Sequence, residues 1–229
     1  MNHLQQLMIH EPNLDKMKLV DIGAGKGGFM MQALDAGVDI YGLEKNEDNI
    51  KIAQQKMAEK GYEQNRIIQG LVESLPWPDA GFDFANASEV LEHVEDPDKM
   101  LHEIHRILKT GGQAYVSIPN RFGLYDPHFH LYFINWMPRN WAMKILSLLK
   151  KHKDYNTDSG YQSLTQMHYH TYKNAIKLLT NHGFEVTDTR SRKVLNLSKS
   201  SLLKKILSMS YKLSAPWTLS TFHFWLVKK

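Results

Sequence analysis

The chain has no cysteine among its 229 residues. That excludes a disulfide framework, a thiolate metal site and a cysteine nucleophile. Long apolar runs are missing too: no stretch approaches the roughly 18 apolar residues that a membrane-spanning helix needs. The opening segment MNHLQQLMIHEPN has no basic region followed by an apolar run, so no secretory leader is expected and a cytoplasmic location is. Internal repeats and low-complexity segments are absent. What is there is a 42% hydrophobic composition, enough for one substantial core and favouring one domain with embellishments.

Acidic residues are missing from one region. From Thr189 to Lys229 there are nine Lys or Arg and no Asp or Glu. The first 188 residues carry 19 basic against 24 acidic groups, so a body of net −5 precedes a strongly basic tail. Such asymmetry suits an anionic partner, whether membrane, substrate or nucleic acid, or a solvated face. Within the tail, SLLKKILSMSYKL puts Leu202, Ile206, Met209 and Leu213 on one helical face and Lys204, Lys205 and Lys212 elsewhere, a basic amphipathic segment at about 195–215. Packing on the body is the expected use. Peripheral contact with an anionic membrane at the inner face is the alternative.

The first half alternates short apolar runs with helical patterns, which predicts a parallel sheet with crossover helices. Strands are expected at KLVDIG, VDIYGLE, RIIQG, FDFANA and QAYVSIP. Asn46 caps one helix and Gly61 stops it. Asp96 caps another, with Pro97 in its first position, Leu101, Ile104 and Leu108 facing inward and Gly111 ending it. The rhythm lapses until about Thr171, returns with a helix and a sixth strand, and ends on STFHFWLVKK. The expected fold is α/β: a doubly wound, Rossmann-like seven-stranded sheet, mostly parallel with an antiparallel last strand and helices on both faces. Ligands then belong at the C-terminal ends of the strands.

The stretch VDIGAGKGGF follows the first strand and opens a helix. Gly23-x-Gly25-x-x-Gly28 fits a dinucleotide loop; Asp21-x-Gly23-x-Gly25-x-Gly27 fits the loop of an S-adenosylmethionine (SAM) enzyme. Glu44, 21 residues after Gly23 at the end of the second strand, can accept from both hydroxyls of a ribose and suits either. Asp21 favours SAM, because an acidic side chain there attracts a cationic amino-acid end.

Three later blocks decide between them: GLVESLPWPDAGFDFANASEVLEHV (Gly70 to Val94), LHEIHRILKTGG and AYVSIPNR. With the glycine loop, and in that order, they resemble the class I SAM-dependent methyltransferases, in particular the methyltransferase type 11 branch with the ubiquinone-biosynthesis O-methyltransferases. The resemblance covers Leu19 to Arg121 well and returns more weakly at Ala175 to Thr187 and Thr221 to Lys229. It implies that Asp21, Gly23, Ala24, Gly25 and Gly27 surround the methionine end of SAM, that Glu44 holds the ribose, and that Lys45 lies beside the adenine. Relatives carry an acidic residue where this chain has Leu71, which removes one adenine hydrogen bond, worth about 0.5–1.5 kcal/mol. Val72 still offers its N–H, and Glu73 is a possible substitute. Ser88 and Glu89 border the sulfonium.

Methyl transfer from a sulfonium needs an aligned acceptor and, for a hydroxyl, a base. His93, in EVLEHV, is the candidate base; its alternative is a packing or capping role. Glu89, Glu92 and His93, spaced i, i+3 and i+4, also suit a divalent ion if they share one side of a helical turn. Some relatives use a matching Glu-x-x-Glu-His set this way and others hold no ion, so no metal ligand is assigned. The acceptor is expected to be a small molecule or lipid-linked. RNA 2′-O-methylation and non-catalytic SAM binding are the alternatives, and nucleic acid is the less expected partner.

Residues 121–172 hold 11 of the chain's 24 aromatic residues and 5 of its 12 histidines. An insertion there is read as an aromatic lid over the acceptor, with a small subsidiary core as the alternative. A short helix is expected in NWAMKILSLLKKH. The His128-x-His130 and His168-x-His170 pairs are read as strand positions with both rings on one side.

Overall fold

The computed structural model describes residues 2–151, 162–191 and 201–229. Five strands, β1 (Lys18–Ile22), β2 (Asp39–Glu44), β3 (Ile67–Gln69), β4 (Phe82–Ala87) and β5 (Leu108–Pro119), run parallel in the order β3-β2-β1-β4-β5. β9 (Thr221–Lys228) then lies antiparallel between β5 and β8 (Phe184–Asp188), completing seven strands. This is the expected doubly wound sheet, with the antiparallel strand next to last in space.

Strand alternation sorts the core. Leu19, Phe84 and Trp225 face α1 (His3–Met8), α2 (Gly28–Asp35) and α3 (Glu47–Glu59); Val20, Phe82 and Leu226 face α4 (Pro97–Ile107) and α6 (Tyr172–Asn181). Helices therefore cover both faces, as the near-continuous apolar runs of a buried parallel sheet require. Asn46 caps α3 by accepting from Asn49 N at 2.9 Å, and Asp96 caps α4 by accepting from Lys99 N at 3.1 Å. Helix α4 stops at Ile107, four residues before Gly111. Leu108 is fully buried, as its periodicity suggested, but as the first residue of β5 opposite Phe82.

Between β5 and α6 the chain leaves the sheet. It makes a hairpin of β6 (Tyr125–Asp126) and β7 (Leu131–Tyr132), then α5 (Arg139–Leu148). Phe129, Ile134, Ala142, Leu146, Leu164 and Met167 give this excursion its own small core. The buried Asp126 carboxylate closes its central turn, accepting from His128 N at 2.9 Å, Phe129 N at 2.8 Å and the Tyr169 hydroxyl at 2.9 Å. His128 and His130 are not on a strand: His130 has φ +55°, and the turn buries His128 while leaving His130 exposed. Residues 152–161, within the expected lid, and 192–200, which include the start of the expected basic segment, lie outside the described residues.

Helix α7 (Ser201–Thr218) carries the tail's apolar face outward. Leu202, Ile206, Met209 and Leu213 are 51–68% exposed, so the expected packing of this face on the body is not what the structure has. Among the described residues no helix is long and apolar enough to cross a membrane.

Candidate active site

The glycine loop turns sharply between β1 and α2. Gly23 and Gly25 have φ of +70° and +53°, a region L-residues avoid. A Cβ on Gly23 would come within 2.7 Å of Val90, so packing reserves that position. A Cβ on Gly25 would meet nothing within 4 Å. The space over Gly25 is open, and only the lack of a side chain keeps it so.

Glu44 is locked against this loop. One carboxylate oxygen accepts from Gly25 N at 2.8 Å and the other from Asn46 N at 2.9 Å. Its remaining lone pairs stay available to diol hydroxyls. Asp21 is buried and accepts from the Asn86 amide at 2.7 Å. Burial pushes its carboxyl up to about 7, the Asn86 bond opposes this, and the Glu44 charge adds to it. A buried acid in that range is a site that gains from a cation. A tight glycine turn with open space over it, a fixed carboxylate and a cation-seeking carboxyl fit an adenosyl group with a cationic amino-acid end.

The other expected cofactor residues gather at the same end. Ala24 N donates to Leu43 O at 2.9 Å, and Gln69 donates to the carbonyl of the exposed Lys45 at 3.1 Å. Leu71 is exposed beside the end of β2, and Val72 packs on the core. Glu73 does not substitute for the missing acid, since its carboxylate accepts from Glu95 N at 2.9 Å. Ser88 and Glu89 follow β4; Glu89 is exposed, and its N–H donates to Ser117 Oγ at 2.7 Å.

The segment after β4 is a turn, not a helix. Glu89 has φ +58°, which breaks the expected common face with Glu92 and His93. The insertion supplies the third member instead: Glu92, His93 and His128 bring one ligand atom each within 4.8 Å of one another. His128 Nε2 lies 3.4 Å and His93 Nε2 3.9 Å from Glu92 Oε1, and the buried Glu92 Oε2 has no hydrogen-bond partner among the described residues. This carboxylate–imidazole set suits a divalent transition metal or zinc.

His93 Nδ1 lies 2.7 Å from Gln162 Oε1, an acceptor, so Nδ1 carries the proton and Nε2 the lone pair. Burial lowers the His93 pKa, against the charge of Glu92, and keeps the ring neutral near pH 7. Sequence reading missed Asn86 and Gln162, and placed His128 in the insertion without its approach to Glu92. Asn86, Gln162 and His128 sit 65, 69 and 36 residues from Asp21, His93 and Glu92, and no local pattern marks these pairings.

Residues 20–116 match the family model described as a methyltransferase domain. The chain is 33% identical over 138 residues to the ubiquinone biosynthesis O-methyltransferase of Pseudomonas syringae pv. tomato, covering 56% of each chain. It is 31% identical over 112 residues to the demethylmenaquinone methyltransferase of Geobacillus kaustophilus, covering 48% of this chain and 47% of that one. The chain thus spans about half the length of the curated relatives it matches. A solved S-adenosylmethionine-dependent methyltransferase from Mesorhizobium loti shares the fold with a TM-score of 0.61 at 18% identity, over 98% of this chain and 96% of that one. The matched segment, the sheet order and the loop together make residues 20–116 similar to a methyltransferase domain, on the fold that the solved S-adenosylmethionine-dependent methyltransferase has.

Proposed function

We propose that the protein transfers a methyl group from SAM to a hydroxyl of a small-molecule or lipid-linked acceptor. The carrying observation is the open space over Gly25 in the glycine turn, with Glu44 hydrogen-bonded to that turn and Asp21 on the strand before it. Asp21, Gly23, Ala24, Gly25 and Gly27 hold the methionine end; Glu44 takes the ribose; Lys45, Leu71 and Val72 line the adenine; Ser88 and Glu89 border the sulfur. Bound there, SAM supplies a methyl carbon with a neutral thioether as leaving group. His93 Nε2 takes the acceptor's proton, and Gln162 fixes the ring that does so. Relatives named for quinone pathways support a ring-bearing acceptor.

The test is incubation with labelled SAM and fractionated metabolites and lipids. A labelled product is expected. His93→Gln should lower kcat by about a hundredfold or more with SAM affinity unchanged. An EDTA arm separates base from ligand: activity lost to EDTA and restored by Zn²⁺ or Mn²⁺ would make His93 Nε2 an ion ligand with Glu92 and His128 in place of the base. SAM binding without any turnover would make this a non-catalytic SAM-binding protein.

A lipid-linked acceptor is supported by the exposed apolar face of α7. Trp217 on that helix lies 5.7 Å from Trp136 of the insertion and 5.9 Å from Phe122, so the apolar stripe runs on into the aromatic insertion. The tail's nine basic and zero acidic residues complement an anionic bilayer. Flotation with phosphatidylglycerol vesicles should recover the protein, and the double change Met209→Glu with Leu213→Glu should abolish recovery. Equal recovery of the variant would show that this face does not bind the bilayer.

A further inference from the structure

On the face of the sheet covered by α1, at the ends of β5, β8 and β9, lies a cavity of about 180 Å³. His3, Gln6, His10, Tyr115, Arg190 and His223 line it, with Leu7 and Thr189, and among the described residues no carboxylate does. Ligand pockets usually measure roughly 300–1,000 Å³, so this one suits a single functional group with its immediate neighbours.

The hydrogen bonds determine what it presents. Arg190 Nη2 lies 3.1 Å from His223 Nε2. Arginine only donates, so Nε2 accepts and the proton of the neutral ring is on Nδ1. That Nδ1–H points at the Tyr115 hydroxyl oxygen at 2.5 Å. Tyr115 therefore accepts, and its own O–H is left to donate elsewhere. Among the described residues Arg190 forms no ion pair, so its charge faces an imidazole and a phenol instead of a carboxylate. The cavity thus offers a cation and a hydroxyl donor with no carboxylate in its lining; the Glu89 charge reaches Tyr115 from outside it, against that of Arg190.

The cavity also adjoins the cofactor cradle. Asp21, Asn86 and Tyr115 stand in one row across β1, β4 and β5. Asp21 accepts from the Asn86 amide, which fixes Asn86 Oδ1 as the acceptor for His3 Nε2 at 3.0 Å. His3 packs edge-on against Tyr115 at 5.2 Å. A hydrogen-bonded chain thus runs from the glycine-loop strand to the cavity wall.

We propose that this cavity is an anion subsite that receives a carboxylate or phosphate group of the methyl acceptor, held by the Arg190 guanidinium and the Tyr115 hydroxyl. It rests on the reading of the neighbouring cradle as the SAM site. The subsite holds the acceptor by its charged end.

Calorimetry on the full chain saturated with S-adenosylhomocysteine tests this, with benzoate, phenyl phosphate and neutral benzyl alcohol as probes. At least one of the two anions should bind about tenfold or more tightly than benzyl alcohol. Arg190→Gln should remove that preference and Tyr115→Phe should reduce it severalfold, with S-adenosylhomocysteine affinity held within about twofold in both. Equal binding of all three probes to the wild type, or a preference that survives Arg190→Gln, would overturn the subsite. A loss of about tenfold or more in S-adenosylhomocysteine affinity in Arg190→Gln would also overturn it, since the cavity would then hold the cofactor's own carboxylate. A wild-type chain that binds benzoate but neither SAM nor its product would defeat the cofactor reading and the acceptor role with it.

Discussion

Gly25→Ala is expected to leave the protein folded and to weaken SAM binding by about a hundredfold or more. The added Cβ meets no protein atom within 4 Å, so packing does not oppose it. The backbone penalty at φ +53° is about 1–2 kcal/mol, a fraction of an ordinary domain's stability. The methyl group instead fills the space through which a ligand approaches the loop. Thermal unfolding and SAM titration on the same sample separate the two effects. A variant that binds SAM as tightly as the parent would show that the open floor is not the ligand's seat.

Asp21→Asn is expected to stabilise the ligand-free protein and weaken it as a SAM binder. Burial raises the folded-state pKa from 3.8 to about 7. Between those values the folded chain keeps a proton that the unfolded chain has lost, so stability falls as pH rises from about 4 to 7. Above pH 7 the whole cost is present, at most ~4 kcal/mol for a shift of this size. Asparagine removes the charge and keeps an oxygen for the Asn86 amide. Its gain should be absent at pH 4 and greatest at pH 8. The same shift makes SAM affinity rise with pH in the parent, by up to about tenfold per unit below pH 7, because a cation at the loop requires the ionised form. In the variant that dependence should vanish and affinity should drop. Parallel denaturation curves for the two proteins at both pH values would contradict the assignment of a buried, destabilising charge at Asp21.

The parts of this protein that were legible from its residues are those coded locally. The loop, the α2 start and Glu44 come from one βαβ unit, where spacing alone sets which backbone groups meet. Asn46 and Asp96 cap where they stand because capping is decided within four residues. Two local readings failed for identifiable reasons. Helix periodicity through Leu108 looked continuous because a buried strand residue and a buried helix residue are equally apolar; pairing with Phe82 decided the matter. The Glu89, Glu92, His93 spacing looked helical, but Glu89 adopts a left-handed turn and donates to Ser117. The His93–Gln162 bond, the approach of His128 to Glu92, and the Arg190–His223–Tyr115 chain each join segments far apart in the chain. Only the folded sheet, and the insertion packed against the turn after β4, bring them together.

The most direct measurement is calorimetric titration of the purified full chain with SAM and, separately, with NAD. One SAM per chain with micromolar or tighter affinity, lost in Gly25→Ala, and no NAD binding are the results expected of this cradle. Heat from NAD alone, or silence with both, would contradict it.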